Sequence, residues 1–206
     1  MPITDNLLYL GIARLFRGDE SAPDISGTPS AKNWIYGNAL NYGIITYLAI
    51  NSFQWSSCCL VDATTQFIVY IFMVDTCFYM LHYVSHDKRI YQQFHIQHHL
   101  CSLSSYCTRD SHWLDAMVEN TSFTFPLLLP NRNGYTACFC LVFNAFWVTW
   151  LHSGRGLSKG DKVDSIVVTP HLHAIHHKYP GRTSCNYALY FTFWDRLCDT
   201  YRPCYR

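Results

Sequence analysis

Charge is what this 206-residue sequence has least of: Asp, Glu, Lys and Arg make up 14% of it, against roughly 25% in an ordinary soluble domain. The shortage excludes a strongly charged solvated surface, and a hydrophobic fraction of 50% excludes a disordered chain. Fifteen basic residues stand against fourteen acidic ones, for a formal charge of +1. The electrostatic footprint of a phosphate binder is therefore missing, and nucleic acid is not an expected partner. No CxxC pair occurs among the ten cysteines, and the start of the chain lacks the basic-then-apolar pattern of a secretory signal. Reduced thiols in a cytosol-facing protein are expected, not a disulfide scaffold. Solenoid repeats and low-complexity tracts are absent too.

Long apolar runs are what the sequence has instead. Residues 1–33 read as an N-terminal lead-in, with a short apolar stretch (Leu7–Phe16) that suits a membrane interface and a polar Ser/Pro/Gly/Asp stretch after it. Trp34–Phe53 holds no charged residue, and Val61–Leu81 holds only Asp62 and Asp75. Each has about the 20 residues that a helix needs to cross a bilayer. A second apolar pair, Trp113–Pro130 and Tyr135–Leu151, is joined by Asn131-Arg132-Asn133-Gly134, whose Asn-Gly step signals a turn. Glu119, Asn120 and Pro126 interrupt its first arm, so a helical hairpin that dips in and returns is expected. Residues 152–206 carry eight of the fifteen Lys and Arg, and Lys88, Arg89 and Arg109 follow the second run. By the positive-inside rule these segments face the cytosol. The expected fold is all-α and integral to the membrane, with about four embedded passes under a cytosolic histidine-rich cap, residues 34–206 forming one domain.

Eleven histidines stand out, nine of them within residues 82–99 and 171–177. His82 and His86 form HxxxH, an i, i+4 pair on one helical face. His95, His98 and His99 form HxxHH, and His173, His176 and His177 repeat that spacing. A single imidazole often sits at a surface or satisfies a local hydrogen bond. Eight at helical spacing exceed the three or four nitrogens that one zinc takes and point to two metals close together, with Fe, Zn, Cu or Ni all suited to imidazole. Competing motifs fail: Tyr83 and Ile96 stand where a zincin HExxH needs glutamate, and the one GxSxG match, Gly156–Gly160, lies in a polar connector without the strand and helix of a nucleophile elbow.

Taken in order, the blocks Asp75-Thr-Cys-Phe-Tyr-Met-Leu-His82-Tyr-Val-Ser-His86, Phe94-His95-Ile-Gln-His98-His99, His112-Trp-Leu-Asp115, Trp150-Leu-His152, Thr169-Pro170-His171-Leu-His173-Ala-Ile-His176-His177, Asn186-Tyr187 and Trp194-Asp195-Arg196 resemble the membrane fatty acid hydroxylase superfamily. That group includes sterol desaturases, sterol C4-methyl oxidases, sphingolipid hydroxylases and alkylglycerol monooxygenase, and the similarity covers about residues 70–203. The resemblance implies two iron ions, with zinc as a possible substitute, that activate O2 to hydroxylate or desaturate a fatty acyl, sterol or sphingoid chain. It implies electrons from a carrier such as cytochrome b5 and its reductase, and a multi-pass location in the endoplasmic reticulum with the histidines facing the cytosol. Carried over by motif, the metal ligands are His82, His86, His95, His98, His99, His173, His176 and His177, with His152 as a ninth. His171, Asn186 and Asp195 are expected around them.

Tyr83 replaces the frequent Arg after the first histidine, Gly156 stands where many hydroxylases have a further histidine, and Ala188 and Cys198-Asp199 depart from the usual Gly and Phe-Gly. Asp75, two helical turns before His82 in an apolar run, is expected to orient a ligand imidazole, with a simple helix-end residue as the alternative. His112 and Asp115 either cap the site or pair on the surface, and Asp195 with Arg196 suits a structural salt bridge. Phe139, Phe143, Phe146, Trp147 and Trp150 form membrane core and interface belt, or the wall of a lipid tunnel. The rival readings are a catalytically inactive relative and a non-catalytic metal store or relay. Transport favours polar residues at mid-membrane depth, whereas these histidines gather at one face.

Overall fold

The computed structural model describes residues 29–100, 111–130, 132–153, 162–179 and 181–204. These residues form α1 (Pro29–Asn51), α2 (Leu60–Ser85), the single turn α3 (Lys88–Ile90), a π-helical turn (Tyr91–His95), α4 (Ile96–Leu100), α5 (Trp113–Thr124), α6 (Gly134–Leu151), α7 (Pro170–Lys178) and α8 (Phe193–Leu197). Short 3-10 turns lie at Phe125–Leu128, Lys162–Ser165 and Gly181–Thr183. Among the described residues no strand forms; two isolated bridges pair Gln54 with Asn133 and Val167 with Phe191. The eight described cysteines are free. The run Leu7–Phe16 and the Gly156–Gly160 match lie outside the described residues.

The inward face of α2 is a stripe of Tyr70, Ile71, Val74, Asp75, Phe78, Tyr79 and His82, spaced by three and four. Its other face leaves Leu60, Val61, Ile68, Phe72 and Met80 bare, each 55–81% exposed. A helix in a water-soluble core does not present such a surface. Helices α2 and α6 are the two, among the described residues, long and apolar enough to cross a membrane. Their 26 and 18 residues rise about 39 and 27 Å.

The other two expected spans differ from these. Helix α1 begins at Pro29, inside the expected lead-in, buries Asn38 and Asn41, and packs chiefly on α5. Asn41 donates to the Met117 carbonyl at 3.2 Å. Helix α5 has 12 residues and so rises only about 18 Å before the 3-10 turn that contains Pro126. That length suits an arm that dips in and returns. The turn expected at 131–134 ends where Asn133 caps α6, its Oδ1 accepting the Thr136 N–H at 3.1 Å.

Tyr70 ties three helices together. Its hydroxyl donates to the Phe123 carbonyl of α5 at 3.1 Å and accepts from the Asn144 amide of α6. The carboxy-terminal ends of α2 and α6 thus come out side by side, and the π-helical turn, α4, α7 and the segment 181–192 gather around them. This end of the molecule holds the histidines.

Candidate metal centre

Nine histidines converge in two adjoining groups. His82, His86, His95, His99 and His176 form one, and His98, His152, His173 and His177 the other; within each group the candidate donor nitrogens all lie within 4.8 Å of one another. Each HxxHH motif is divided between them. His95 and His99 enter the first group and His98 the second, whereas His173 and His177 enter the second and His176 the first. Spacings of three and four predict a single face for each motif; the structure uses its i, i+4 pair on one side and its middle histidine on the other. Immediately before this division the chain passes through the π-helical turn, in which the Ile96 N–H returns to the Tyr91 carbonyl. The extra residue resets the register of the helix that carries His98 and His99.

The nitrogen geometry fits metal ions. His95 Nε2 is 3.2 Å from His99 Nε2, and His173 Nε2 is 3.1 Å from His152 Nε2 and 3.0 Å from His177 Nε2. Ligands at about 2.0–2.1 Å from a metal and 90–109° apart are separated by about 2.9–3.4 Å. His152 already uses Nδ1 toward the Val148 carbonyl at 2.8 Å, which leaves a lone pair, not a proton, on its Nε2. That lone pair is available to a cation held between the rings. His82, His86 and His176 likewise have buried Nε2 atoms without a hydrogen-bond partner among the described residues.

Burial keeps these imidazoles in the neutral form that binds metal. It lowers His95, His98, His173 and His176 well below the usual value, helped by repulsion from neighbouring histidines. His99 falls to about 3 and His152 to about 4 for the same first cause. His99 and His177 are the half-buried members. With Lys88, Tyr91, Ile96 and Lys178 they line a cavity of about 600 Å3.

The chain matches the family model for fatty acid hydroxylase over residues 67–200. This protein belongs to the fatty acid hydroxylase family. Over 140 residues, 66% of the chain, it is 29% identical to Delta(7)-sterol 5(6)-desaturase ERG3 of Saccharomyces cerevisiae, covering 36% of that protein. It is 30% identical over 141 residues to Delta(7)-sterol 5(6)-desaturase erg3B of Aspergillus fumigatus, covering 66% of this chain and 39% of the relative. Against Delta(7)-sterol 5(6)-desaturase ERG3 of Candida albicans the identity is 28% over 135 residues, 65% of this chain and 33% of the other. The chain therefore spans little more than a third of the length of these relatives. No solved structure matches it.

Within this fatty acid hydroxylase chain, the residues expected around the ligands take several different places. Asp115 faces His95 Nδ1 with both carboxylate oxygens at 3.0 Å, and Glu119, one turn along α5, joins them in a third cluster. Glu119 read in sequence only as an interruption of an apolar run. His112 caps α5, its Nδ1 accepting the Leu114 N–H at 3.2 Å, and packs on Phe94. His171 faces away, toward the Pro203 carbonyl at 3.3 Å. Asp75 was expected to orient an imidazole; its Oδ1 instead accepts the backbone N–H groups of Leu189, Tyr190 and Phe191. Asp195 makes no pair with Arg196, which donates to the Ser165 carbonyl and lies over the Tyr201 ring. Its carboxylate accepts from Tyr187, Ala188 and Thr200.

Backbone carbonyls are the orienting groups that sequence could not disclose. His82 Nδ1 meets the Tyr187 carbonyl at 2.9 Å, His86 Nδ1 that of Gly181 at 3.4 Å, and His176 Nδ1 that of Cys185 at 2.8 Å. Such partners fix the tautomer and direction of a ligating ring. Side-chain type carries no signal for them.

Proposed function

We propose that this chain is an O2-dependent membrane lipid oxidoreductase that hydroxylates or desaturates a lipid chain or ring at a two-iron centre. The observation that carries the reading is the pairing of five-histidine and four-histidine groups whose nitrogens approach at 3.0–3.5 Å. His82, His86, His95, His99 and His176 would hold one iron, and His98, His152, His173 and His177 the other; zinc suits the same nitrogens. Bound there, iron would supply the redox chemistry that activates O2 toward an unactivated C–H bond.

The chain's own residues set the conditions for that chemistry. Burial keeps the imidazoles unprotonated, and Asp115 with the carbonyls of Tyr187, Gly181, Cys185 and Val148 aims five of the rings. The substrate would approach along the bare apolar face of α2 and α6, so that its polar end stays near the histidine end of the helices and one carbon is presented to the centre. The names of the relatives put a sterol first among substrates to test, ahead of fatty acyl and sphingoid chains.

We read α2 and α6 as crossing the bilayer, with α1 and α5 as the two further embedded passes. The histidine end faces the cytosol, in the endoplasmic reticulum, where a cytochrome b5-like carrier and its reductase would deliver electrons. Two measurements test the proposal. Detergent-purified protein should contain about two metal ions per chain, as the two groups require. Expression in sterol-synthesising cells should yield a new oxidised lipid, and His98→Ala should abolish that product while leaving expression intact. Unchanged products from the His98→Ala variant would sink the enzyme reading.

A further inference from the structure

The segment 185–191 turns two of its carbonyls to the histidines and its N–H groups to other partners. Its Cys185 and Tyr187 carbonyls face His176 and His82 at 2.8 and 2.9 Å. Asn186, between them, adopts a left-handed φ of 56°, a conformation that asparagine tolerates better than most residues. Its side chain is held by the Leu172 and Arg202 carbonyls and by the Arg202 N–H. Every N–H from Asn186 to Phe191 has a partner. That of Asn186 reaches the Thr200 carbonyl at 3.1 Å. Those of Tyr187 and Ala188 reach Asp195 Oδ1 and Oδ2 at 2.8 and 3.0 Å. Those of Leu189, Tyr190 and Phe191 reach Asp75 Oδ1 at 3.1, 2.7 and 3.5 Å.

Two buried carboxylates thus hold five consecutive amides, one from α2 and one from α8. Asp75 is 1% and Asp195 0% exposed, and neither has a cationic partner among the described residues. Carboxyl oxygens persist in such a place when N–H groups satisfy them, because an acceptor buried without a donor is costly. We propose that Asp75 and Asp195 are positioning residues: they lock 185–191 as a backbone platform that aims His82 and His176, both in the five-histidine group, at one metal and not at the other. The proposal rests on the two-metal reading, and it adds that the two metals depend on different parts of the fold.

The test separates the groups genetically. The triple variant His86→Ala/His95→Ala/His99→Ala, which retains only His82 and His176 of the five, should leave metal only in the four-histidine group, and His152→Ala only in the five-histidine group. Purified variants are challenged with excess EDTA and the released metal is followed by mass spectrometry. In the His152→Ala background, Asp195→Asn should speed release by up to about 10-fold, the low end of what removing a direct partner of a ligand histidine does, since Asp195 acts through the Tyr187 backbone. In the triple-variant background the same change should leave the rate as it was. Asp75→Asn, which keeps the single oxygen serving three amides, should give a smaller acceleration with the same selectivity. It also carries the test if Asp195→Asn fails to accumulate as a monodisperse species. Acceleration in both backgrounds alike, or in neither, overturns the proposal while leaving the two-metal reading intact. A wild-type protein that retains no metal overturns both.

Discussion

His95 turns Nδ1 toward both oxygens of Asp115, 3.0 Å from each, while its Nε2 faces His99 at 3.2 Å. The ring is held from behind and its lone pair is delivered to the five-histidine group. Asp115→Ala removes the only carboxylate hydrogen-bonded to a ligand ring among the described residues. Metal affinity of that group should fall by about 10–100-fold, as for other carboxylate–histidine–metal arrangements. Competition with a chromophoric chelator reads this directly. Asp115→Asn, which retains an acceptor oxygen, should lie between the alanine variant and wild type, and equal affinity in all three proteins would refute the orienting role.

The two groups are not equally braced. Four of the five rings in the first have Nδ1 on a carbonyl or on Asp115. In the second, His152 is held by Val148, but His98 and His177 have Nδ1 atoms without a partner among the described residues. Chelation of the wild-type protein should therefore proceed in two phases, the faster from the four-histidine group. His152→Ala should abolish the fast phase and spare the slow one. Release in a single phase would contradict the difference in bracing.

Histidine spacing disclosed which imidazoles would gather, because side chains four residues apart share a helix face whatever the tertiary structure. Their division between two groups was not legible, since it depends on how α4 and α7 meet each other. Asp75 shows the other limit. Its position near His82 suggested an imidazole partner, but its hydrogen bonds go to amides more than a hundred residues away. The apolar runs at Val61–Leu81 and Tyr135–Leu151 read correctly as helices, whereas α1 carries buried asparagines that only its packing on α5 explains.

His112 and His171 offer a contrast with the nine. His112→Ala should cost about 1 kcal/mol of stability through loss of the α5 cap and leave the metal content at its wild-type value. His171→Ala, at a half-exposed position facing Pro203, should change neither by a measurable amount. Metal analysis beside thermal denaturation in detergent distinguishes them. Loss of a metal ion from either variant would place these histidines in the centre after all.

Gly37 connects packing to the histidine groups at a distance from them. A Cβ at this position would fall onto the Trp113 carbonyl oxygen and lie 3.0 Å from the Ala116 Cβ. The backbone of α5 cannot yield there without moving the helix, and α5 carries Asp115 two residues beyond Trp113. Gly37→Ala should thus destabilise by about 1–3 kcal/mol, the usual cost of overpacking, and weaken metal binding in the five-histidine group through the displaced Asp115. Gly43, on the same helix, has nothing within 4 Å of its would-be Cβ. There the better helix propensity of alanine, worth up to about 1 kcal/mol, is unopposed, so Gly43→Ala should be neutral or stabilising with metal binding unchanged. Melting temperature and chelator competition, measured on both variants, should move together for Gly37→Ala and not for Gly43→Ala. A Gly37→Ala protein that melts lower but binds metal as wild type does would show that α1 holds α5 without setting the position of Asp115.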